Sequence, residues 1–423
     1  MTDVITWFSD YMYHLIQKDP EKARKRLIQV FRAFGFYQKH FPDQKLPASK
    51  QYLADICMDF MLKSFEHPEK AAMTSIFMPC ELLQAFDIPT MCAEMFSTYM
   101  NGAYSERALI EAAENAGISE TYCSYHKVVM GGAITGVLPP TRLIANTSLV
   151  CDANNLTFRA LSHYGGAPQY YVDVPYERSE ASVAYVMDQL KELTAALEEM
   201  TGTKLDQKRL KKIVSRSAET TSNLRKTIPY RRERYLGTTL TSELYETLMV
   251  HNALGTEEAL KYSQMLLHDY QNAERNDGLR ILWMHSNPFW QKCVKDLLNE
   301  NRTRRIVATE LGYDNWREYD PSDPYHYMAE RLVYNPYNGP CDVRIHAAEE
   351  MASQTDADGI VCFCHWGCKE TCGASVAIKK ELENTGYPVL ILNGDGVDRT
   401  NGSDGQTATR LEAFLEMLEE RRK

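Results

Sequence analysis

The sequence predicts an α/β protein with two doubly wound parallel sheets, a helical N-terminal extension and a helical connector. Two blocks of the chain alternate short apolar strands with amphipathic helices, an order typical of parallel sheets covered by helices. The segments before the first block and between the two blocks show helical periodicity alone. These observations divide the chain at about residues 66, 176 and 275.

Residues 1–66 are predicted to form the helical extension. The stretches WFSDYMYHLI and KRLIQVFRAFGFY carry apolar residues three and four positions apart, which places them on one helix face. No run of β-branched residues interrupts this pattern. We expect the extension to act as a cap or as an interface.

Residues 67–176 are predicted to form the first α/β domain, and residues 276–423 the second. The first contains the strand-like stretches TSIFMP, TRLIANTSLVC and QYYVDVP, with helices near residues 106–115 and 154–163. The second contains the strand-like stretches LRILWMHSN, RRIVATEL, DGIVCFC and PVLILNGD, again separated by helices. Residues 177–275 form the predicted connector, in which TGTKLD separates two long helices.

The net charge and the short apolar runs of the chain indicate which kinds of partner it does not bind. Its 423 residues include 47 Lys and Arg against 57 Asp and Glu, a formal net charge of −10. A field of this sign does not attract nucleic acid or anionic lipid, so we expect no nucleic acid and no membrane as partners. The N-terminus lacks the basic region and cleavage site of a signal peptide, and the longest apolar runs are too short to span a bilayer. We therefore expect a cytoplasmic protein.

Eleven cysteines in a reducing compartment indicate buried thiols and a metal or redox site rather than disulfides. Four of them lie in VCFCHWGCKETCG, residues 361–373, at a spacing that matches no common structural zinc site. A continuous helix there would align Cys364, Cys368 and Cys372 on one face. Each glycine in the stretch costs about 1 kcal/mol in a helix interior, which favours a turn at HWGC that presents Cys368.

Three cysteines lie near the start of a predicted helix. Cys151 ends the strand TRLIANTSLVC just before a helix, and Cys368 lies in the turn between DGIVCFC and the next helix. Cys123 follows Ser119, the predicted N-cap, in a first helical turn. Helix N-termini stabilise thiolates, and ligands bind at the carboxyl ends of strands in open α/β sheets, so all three could face one crevice. Five other cysteines are predicted to be buried small side chains: Cys57, Cys80, Cys92, Cys293 and Cys341.

Four motifs stand out: YCSYHK near residue 122, LVCDANN near 149, HWGCKETCGAS near 365 and the C-terminal GDGVDRTNGSDGQTATRLEAFLEML. Together they resemble the 2-hydroxyacyl-CoA dehydratase and benzoyl-CoA reductase superfamily, in particular subunits like the 2-hydroxyglutaryl-CoA dehydratase D-component. The resemblance runs from about residue 70 to the C-terminus. It implies two Rossmann-like or flavodoxin-like domains and a [4Fe–4S] cluster held by Cys123, Cys151 and Cys368. Three protein ligands on a four-iron cluster leave one iron open to substrate.

The resemblance also implies a reaction and its partners. Members of this superfamily remove water from a 2-hydroxyacyl-CoA to form an enoyl-CoA, through a ketyl radical that one injected electron creates, in anaerobic amino-acid fermentation. The electron comes from a separate ATP-dependent iron–sulfur activator, and this chain has no G-x4-G-K-[ST] phosphate loop. The catalytic subunits pair, so we expect a homologous second subunit or a self-dimer. Glu94 matches an active-site glutamate of relatives, and Ser75 lies close to the position of a serine that hydrogen-bonds the thioester carbonyl.

Several alternatives stay open at this point. Cys362, Cys364 and Cys372 leave room for a double-cubane [8Fe–9S] protein, and a benzoyl-CoA-type ATP-dependent reductase is a related alternative. A non-catalytic cluster-bearing subunit for electron transfer or scaffolding is another, and a zinc-binding structural protein the last. His126 and His365 could donate hydrogen bonds to cluster sulfurs or simply pack in the core. The basic run LRKTIPYRRER and the glycine-rich loop NGDGVDRTNGSDGQ could bind CoA phosphates or be surface structure.

Overall fold

A computed structural model describes residues 2–312 and 317–423. The described residues form two four-stranded parallel sheets, which confirms the predicted fold class. The first contains β1 (Ala72–Thr74), β2 (Thr90–Cys92), β3 (Leu143–Thr147) and β4 (Gln169–Val172), in the order β2-β1-β3-β4. The second contains β5 (Leu279–Met284), β6 (Arg304–Thr309), β7 (Gly359–His365) and β8 (Val389–Gly394), in the order β6-β5-β7-β8. The two sheets therefore share one topology.

The strand order reverses at the same point in both sheets. Strand β1 pairs with β2 on one side and with β3 on the other, and β5 pairs in the same way with β6 and β7. In open α/β sheets, ligands bind outside the carboxyl ends of the strands at such a switch point. A site is therefore expected at the carboxyl ends of β1, β3, β5 and β7.

Helices precede the first sheet, as predicted for the N-terminal extension. They are α1 (Thr2–Lys18), α2 (Pro20–His40) and α3 (Ala48–Glu66). Helix α2 begins where it does because the Asp19 side chain accepts a hydrogen bond from the Lys22 N–H and proline occupies the first turn. Lys50 of α3 is buried, and its Nζ lies 2.6 Å from Oε2 of Glu246 and 3.2 Å from Oε1 of Glu243. This buried ion cluster attaches the extension to the rest of the chain.

The remaining helices cover the sheets and connect them. Those that follow within the first sheet are α4 (Glu81–Ala85), α5 (Ala93–Gly102), α6 (Glu106–Asn115), α7 (Ser124–Thr135) and α8 (Asp152–Gly165). The connecting helices are α9 (Glu180–Thr201), α10 (Gln207–Arg225), α11 (Ile228–Glu233), α12 (Leu240–Asn252) and α13 (Glu257–Asn272). The last group is α14 (Lys292–Leu298), α15 (Pro324–Val333), α16 (Cys341–Thr355), α17 (Lys369–Asn384) and α18 (Asp404–Arg422). Although α15 follows β6 in the chain, its apolar residues pack in the core of the first sheet.

Three strand predictions differ from the structure. The predicted strand TSIFMP is instead the end of β1 followed by a turn, which the hydrogen bond from Met78 N–H to the Ser75 carbonyl closes at 3.1 Å. Strand β2 was not predicted, because three residues are too few to show a period. Strand β3 ends four residues before Cys151, so Cys151 does not end the strand as predicted.

Among residues 2–312 and 317–423, no helix combines the length and apolar character needed to cross a membrane.

Candidate functional site

The three cysteines predicted as cluster ligands each begin a helix. Cys123 is the N-cap of α7, Cys151 of α8 and Cys368 of α17. The prediction that Ser119 caps the first of these helices is wrong, because the chain makes a separate turn before α7. Sγ of Cys151 accepts a hydrogen bond from the Asn154 N–H at 3.3 Å. Burial raises the pKa of all three thiols, and the helix N-termini, which favour negative charge, oppose that shift.

The structure brings the three cysteines to the wall of a single cavity of about 480 Å³. Residues after β1, β5 and β7 contribute to this wall, so the cavity lies at the switch points of both sheets. Helix α12 of the connector closes another side. The lining also includes Ile76, Phe77, Glu94, Tyr125, His126, Val150, Leu244, Leu248, His285, Leu311, Tyr337 and His365.

Each of the three cysteines lies next to a different histidine. Sγ of Cys123 is 3.3 Å from Nε2 of His365, at hydrogen-bonding distance for sulfur. Sγ of Cys368 is 3.4 Å from Nε2 of His285. The third pair joins Cys151 to the histidine at position 126, with 3.7 Å between Sγ and Nε2. In each of the three pairs, the cysteine sulfur therefore faces the Nε2 atom of its own histidine.

The protonation of these histidines follows from their surroundings. Burial lowers the pKa of His126 and of His285 to about 3, and the pKa of His365 to about 4. All three rings are therefore neutral near pH 7. The backbone N–H of Gly396 donates to Nδ1 of His365 at 3.0 Å, so the ring proton lies on Nε2, which faces Cys123. This histidine donates a hydrogen bond to the cysteine sulfur.

A buried ion pair holds His285 in place behind the cavity. Nε of Arg344 lies 2.5 Å from Oε1 of Glu310, and Oε2 of the same carboxylate accepts the His285 backbone N–H at 3.1 Å. Nη2 of Arg344 also donates to Oγ1 of Thr371, in the first turn of the helix that Cys368 begins, at 3.2 Å. His285 has a φ of 71°, a left-handed conformation that costs free energy for a residue with a side chain. The pair thus fixes both the strained histidine and the Cys368 helix.

A glycine allows the Cys368 turn to pack on the backbone of Cys123. Gly367 has a φ of 84°, and a Cβ there would lie 2.7 Å from both the N and Cα atoms of Cys123. Only glycine accommodates both the conformation and the contact. Nearby, Asp395 accepts a hydrogen bond from Oγ of Ser124 at 2.6 Å. These contacts join the second sheet to the start of α7.

Glu94 lies in the first turn of α5 and lines the cavity. Sγ of Cys92 donates to Oε2 of Glu94 at 2.9 Å. Burial raises the pKa of the Glu94 carboxyl above its ordinary value. Such a carboxyl can hold or release a proton closer to neutral pH than an exposed one.

Ser75 lies one residue before the cavity wall rather than on it. The residue is fully buried after β1, and Oγ accepts the backbone N–H of Thr147 at 3.3 Å. The next two residues, Ile76 and Phe77, do line the cavity. A role of Ser75 toward a thioester carbonyl stays a prediction.

The other cysteines divide into two groups. Cys362 and Cys364 are buried within β7, whereas Cys372 is exposed and lines the cavity, with Sγ donating to the carbonyl of His365 at 3.2 Å. Cys57, Cys80 and Cys92 are buried, as predicted, whereas Cys293 and Cys341 are partly exposed, so the prediction that these two are buried is wrong.

The donor set of the three cysteines suits an iron–sulfur cluster. Among the residues that the structure describes, no three His, Cys, Asp or Glu side chains are grouped to hold one metal ion. A four-iron cluster binds each cysteine at a different iron, so its ligands stand apart around a space. Three cysteines at three helix N-termini around one cavity meet this need, and thiolates suit iron–sulfur clusters.

The comparison with known proteins identifies the family of the chain. The family described as 2-hydroxyglutaryl-CoA dehydratase, D-component, matches residues 75–418. The chain belongs to this family. The match includes all three cysteines and Glu94, and it begins after the helical extension.

The chain is similar to subunits of two kinds of enzyme. It is 24% identical over 388 residues to a subunit of benzoyl-CoA reductase from Thauera aromatica, covering 81% of this chain and 87% of that protein. It is 21% identical over 400 residues to the alpha subunit of (R)-phenyllactyl-CoA dehydratase from Clostridium sporogenes, covering 88% and 95%. It is 21% identical over 334 residues to the alpha subunit of (R)-2-hydroxyglutaryl-CoA dehydratase from Acidaminococcus fermentans, covering 75% and 67%.

Two arginines of the basic run make internal contacts, whereas Lys226 and Arg232 of the same run are exposed. Arg231 is buried, with Nη2 2.7 Å from Oε1 of Glu246. Nη1 of Arg234 donates to the carbonyls of Gln271 and Ala273. No arginine or lysine of this run is among the described residues that line the cavity. The glycine-rich loop likewise packs inward, through Gly396 on the ring of a cavity histidine.

His285 is the site residue that sequence reasoning missed. The contact between its Nε2 and Cys368 joins positions 83 residues apart, and no local motif carries it. A usable signal was its position directly after the strand LRILWM, because carboxyl ends of parallel strands meet at one edge.

Proposed function

We propose that this chain is the iron–sulfur subunit of a 2-hydroxyacyl-CoA dehydratase-type enzyme. The reaction eliminates water from a 2-hydroxyacyl-CoA and gives an enoyl-CoA, after ATP-driven one-electron activation. The observation that carries the proposal is the convergence of Cys123, Cys151 and Cys368 on one cavity, in a chain of this family. We place the enzyme in the cytoplasm, where its eleven cysteines would stay reduced.

Cys123, Cys151 and Cys368 would hold a [4Fe–4S] cluster. When bound, such a cluster supplies one-electron chemistry and a Lewis-acidic iron that no protein side chain occupies. As ligands the three cysteines would be thiolates; the helix N-termini would partly offset the cost of burying their charge, and the His365 N–H would do so at the Cys123 sulfur. Apolar residues such as Phe77 and Leu248 exclude water from the cavity.

Glu94 is the residue that we propose for proton transfer. Its carboxyl is on the cavity wall, and burial raises its pKa. A carboxyl of this kind can give a proton to the departing hydroxyl or take one from the β carbon. Ser75, which is buried one residue before the wall residue Ile76, is proposed to orient the thioester carbonyl.

The proposal includes two protein partners and one substrate. The relatives are each named as one subunit of a larger enzyme, which supports a homologous second subunit or a second copy for this chain. A separate ATP-dependent iron–sulfur activator would deliver the electron, as the family resemblance implies; the sequence itself contains no phosphate loop of the G-x4-G-K-[ST] type. The substrate would be an acyl-CoA thioester.

A second candidate is an ATP-dependent reductase, of the benzoyl-CoA type or with a double-cubane [8Fe–9S] cluster. The identity to the Thauera aromatica subunit supports the first form. The exposed Cys372 on the cavity wall supports the second, because it adds a fourth thiol near the three proposed ligands.

An anaerobic assay of the holoenzyme with its partner subunit and activator tests the proposal. A 2-hydroxyacyl-CoA is supplied with ATP and a one-electron reductant, and the product is identified by mass spectrometry. The proposal predicts an enoyl-CoA lighter than the substrate by one water, with no net consumption of electrons per turnover. A product that is heavier by two hydrogens, with stoichiometric electron consumption, would favour the reductase.

A further inference from the structure

Part of the cavity wall is formed by large apolar side chains. Ile76 and Phe77 follow β1, Leu244 and Leu248 come from α12, and Leu311 follows β6. Val150, before α8, adds a fourth segment to this apolar surface. An acyl chain that entered the cavity would lie against this surface.

The charged side chains of the same cavity are mostly acidic. Glu94, Asp152 and Glu370 line it, and Lys369 is the one lysine or arginine among its described lining residues. The Lys369 side chain is 79% exposed and lies 3.2 Å from the carboxylate of Asp152. This cation therefore belongs to the mouth and is already paired. Within the described lining, a second carboxylate on the substrate would meet acidic side chains, apolar groups and neutral hydroxyls such as those of Thr121 and Thr247, with this paired lysine as the one lysine or arginine.

The basic groups behind the wall are also paired. Arg344 is 4% exposed, and its guanidinium contacts both carboxylate oxygens of Glu310. The Nε2 atoms of the three histidines each face a cysteine sulfur, which directs their hydrogen bonds away from the apolar surface. A carboxylate held against the apolar surface without a cation would lose hydration that neutral hydroxyls and helix N-termini compensate only in part, which disfavours its binding.

We propose that the site takes CoA thioesters whose acyl chain is uncharged and apolar, either branched aliphatic or aromatic, and rejects those with a second carboxylate. This inference rests on the proposed function, since it requires a CoA thioester in the cavity. It applies equally to dehydration and to reduction. Family membership alone leaves the class open, because the relatives' names include both a phenyllactyl and a 2-hydroxyglutaryl thioester.

Anaerobic calorimetric titration of the full chain tests the inference with three probes: free CoA, 2-hydroxy-4-methylpentanoyl-CoA and 2-hydroxyglutaryl-CoA. We expect the branched thioester to bind at least about 100-fold more tightly than the dicarboxylic one. Equal affinities, or tighter binding of the dicarboxylic thioester, would overturn the inference while the proposed function stands. Binding of no thioester above free CoA would overturn the proposed function, and this inference with it.

A variant that adds a positive charge to the apolar surface tests the same inference. Leu311→Arg places a cation on the partly exposed edge of the apolar surface, and we expect it to shift the preference toward the dicarboxylic thioester by about 10-fold. Val376→Arg is the matched control, because Val376 is 73% exposed on α17 and is absent from the described lining. The same shift in both variants would overturn the role of the apolar surface. Circular dichroism checks folding, and the wild-type comparison decides the question if Leu311→Arg does not fold.

Discussion

Replacing His365 by leucine should lower the reduction potential of a cluster bound at Cys123. Nε2 of His365 lies 3.3 Å from Sγ of Cys123, and the Gly396 N–H fixes the ring proton on Nε2. A hydrogen bond to a charged acceptor contributes about 1.5–3 kcal/mol, of which about 1 kcal/mol can distinguish two oxidation states. For a one-electron couple, this corresponds to about 40 mV. The shift is negative because an N–H donor stabilises the more negatively charged, reduced form.

The assay is a redox titration followed by electron paramagnetic resonance on the anaerobically reconstituted full chain. His365→Gln is the matched control, because its amide keeps an N–H donor, and its potential should stay within about 15 mV of wild type. His346→Leu, at an exposed histidine of α16, controls for unspecific effects. A potential of His365→Leu equal to that of wild type, or above it, would refute the reasoning that this hydrogen bond acts on the cluster.

Three further predictions concern proton transfer and stability. Glu94→Gln should lower kcat by about 10²–10⁴-fold while thioester binding persists, and unchanged turnover would exclude its proton role. Lys50→Met should lower the free energy of unfolding, measured in urea, by about 3–5 kcal/mol, because it leaves the buried Glu246 partly unpaired. Lys25→Met, at an exposed ion pair, should lower it by less than about 0.5 kcal/mol. Equal losses in the two variants would contradict this prediction. Burial raises the pKa of Glu106 to about 7, so its stabilising contribution is full below pH 4.5 and is lost as the pH rises through 7. Glu106→Gln should therefore flatten the thermal stability profile between these pH values, and an unaltered profile would argue against the raised pKa.

The sequence pattern predicted the long buried strands well and the short elements poorly. DGIVCFC corresponds to β7 at Gly359–His365, because a continuous apolar run is typical of a strand buried on both faces of a parallel sheet. The run around Ser75 is equally apolar but forms a turn before α4, since burial there comes from tertiary packing and not from a sheet. The position of α15 on the first sheet could not be predicted, because that contact depends on tertiary packing.

The site was predictable where its chemistry is local and hidden where it is long-range. The expectation that helix N-termini would present Cys151 and Cys368 needed only strand, turn and helix signals. The requirement for Gly367 arises from contact with the Cys123 backbone, more than 240 residues away in the sequence. The histidine beside Cys368 depends in the same way on the alignment of two strand ends, which a single sequence does not encode as a motif.

The most direct test of the account is the iron, sulfide and zinc content of the anaerobically purified chain. Variants Cys123→Ala, Cys151→Ala and Cys368→Ala are compared with wild type and with Cys362→Ala, which changes a buried cysteine of β7 outside the described lining. The account predicts about four irons and four sulfides per chain in wild type and Cys362→Ala, with loss in each of the other three. About eight irons would favour the double-cubane alternative. Stoichiometric zinc, or iron unaffected by Cys123→Ala and Cys151→Ala, would contradict the three-cysteine site.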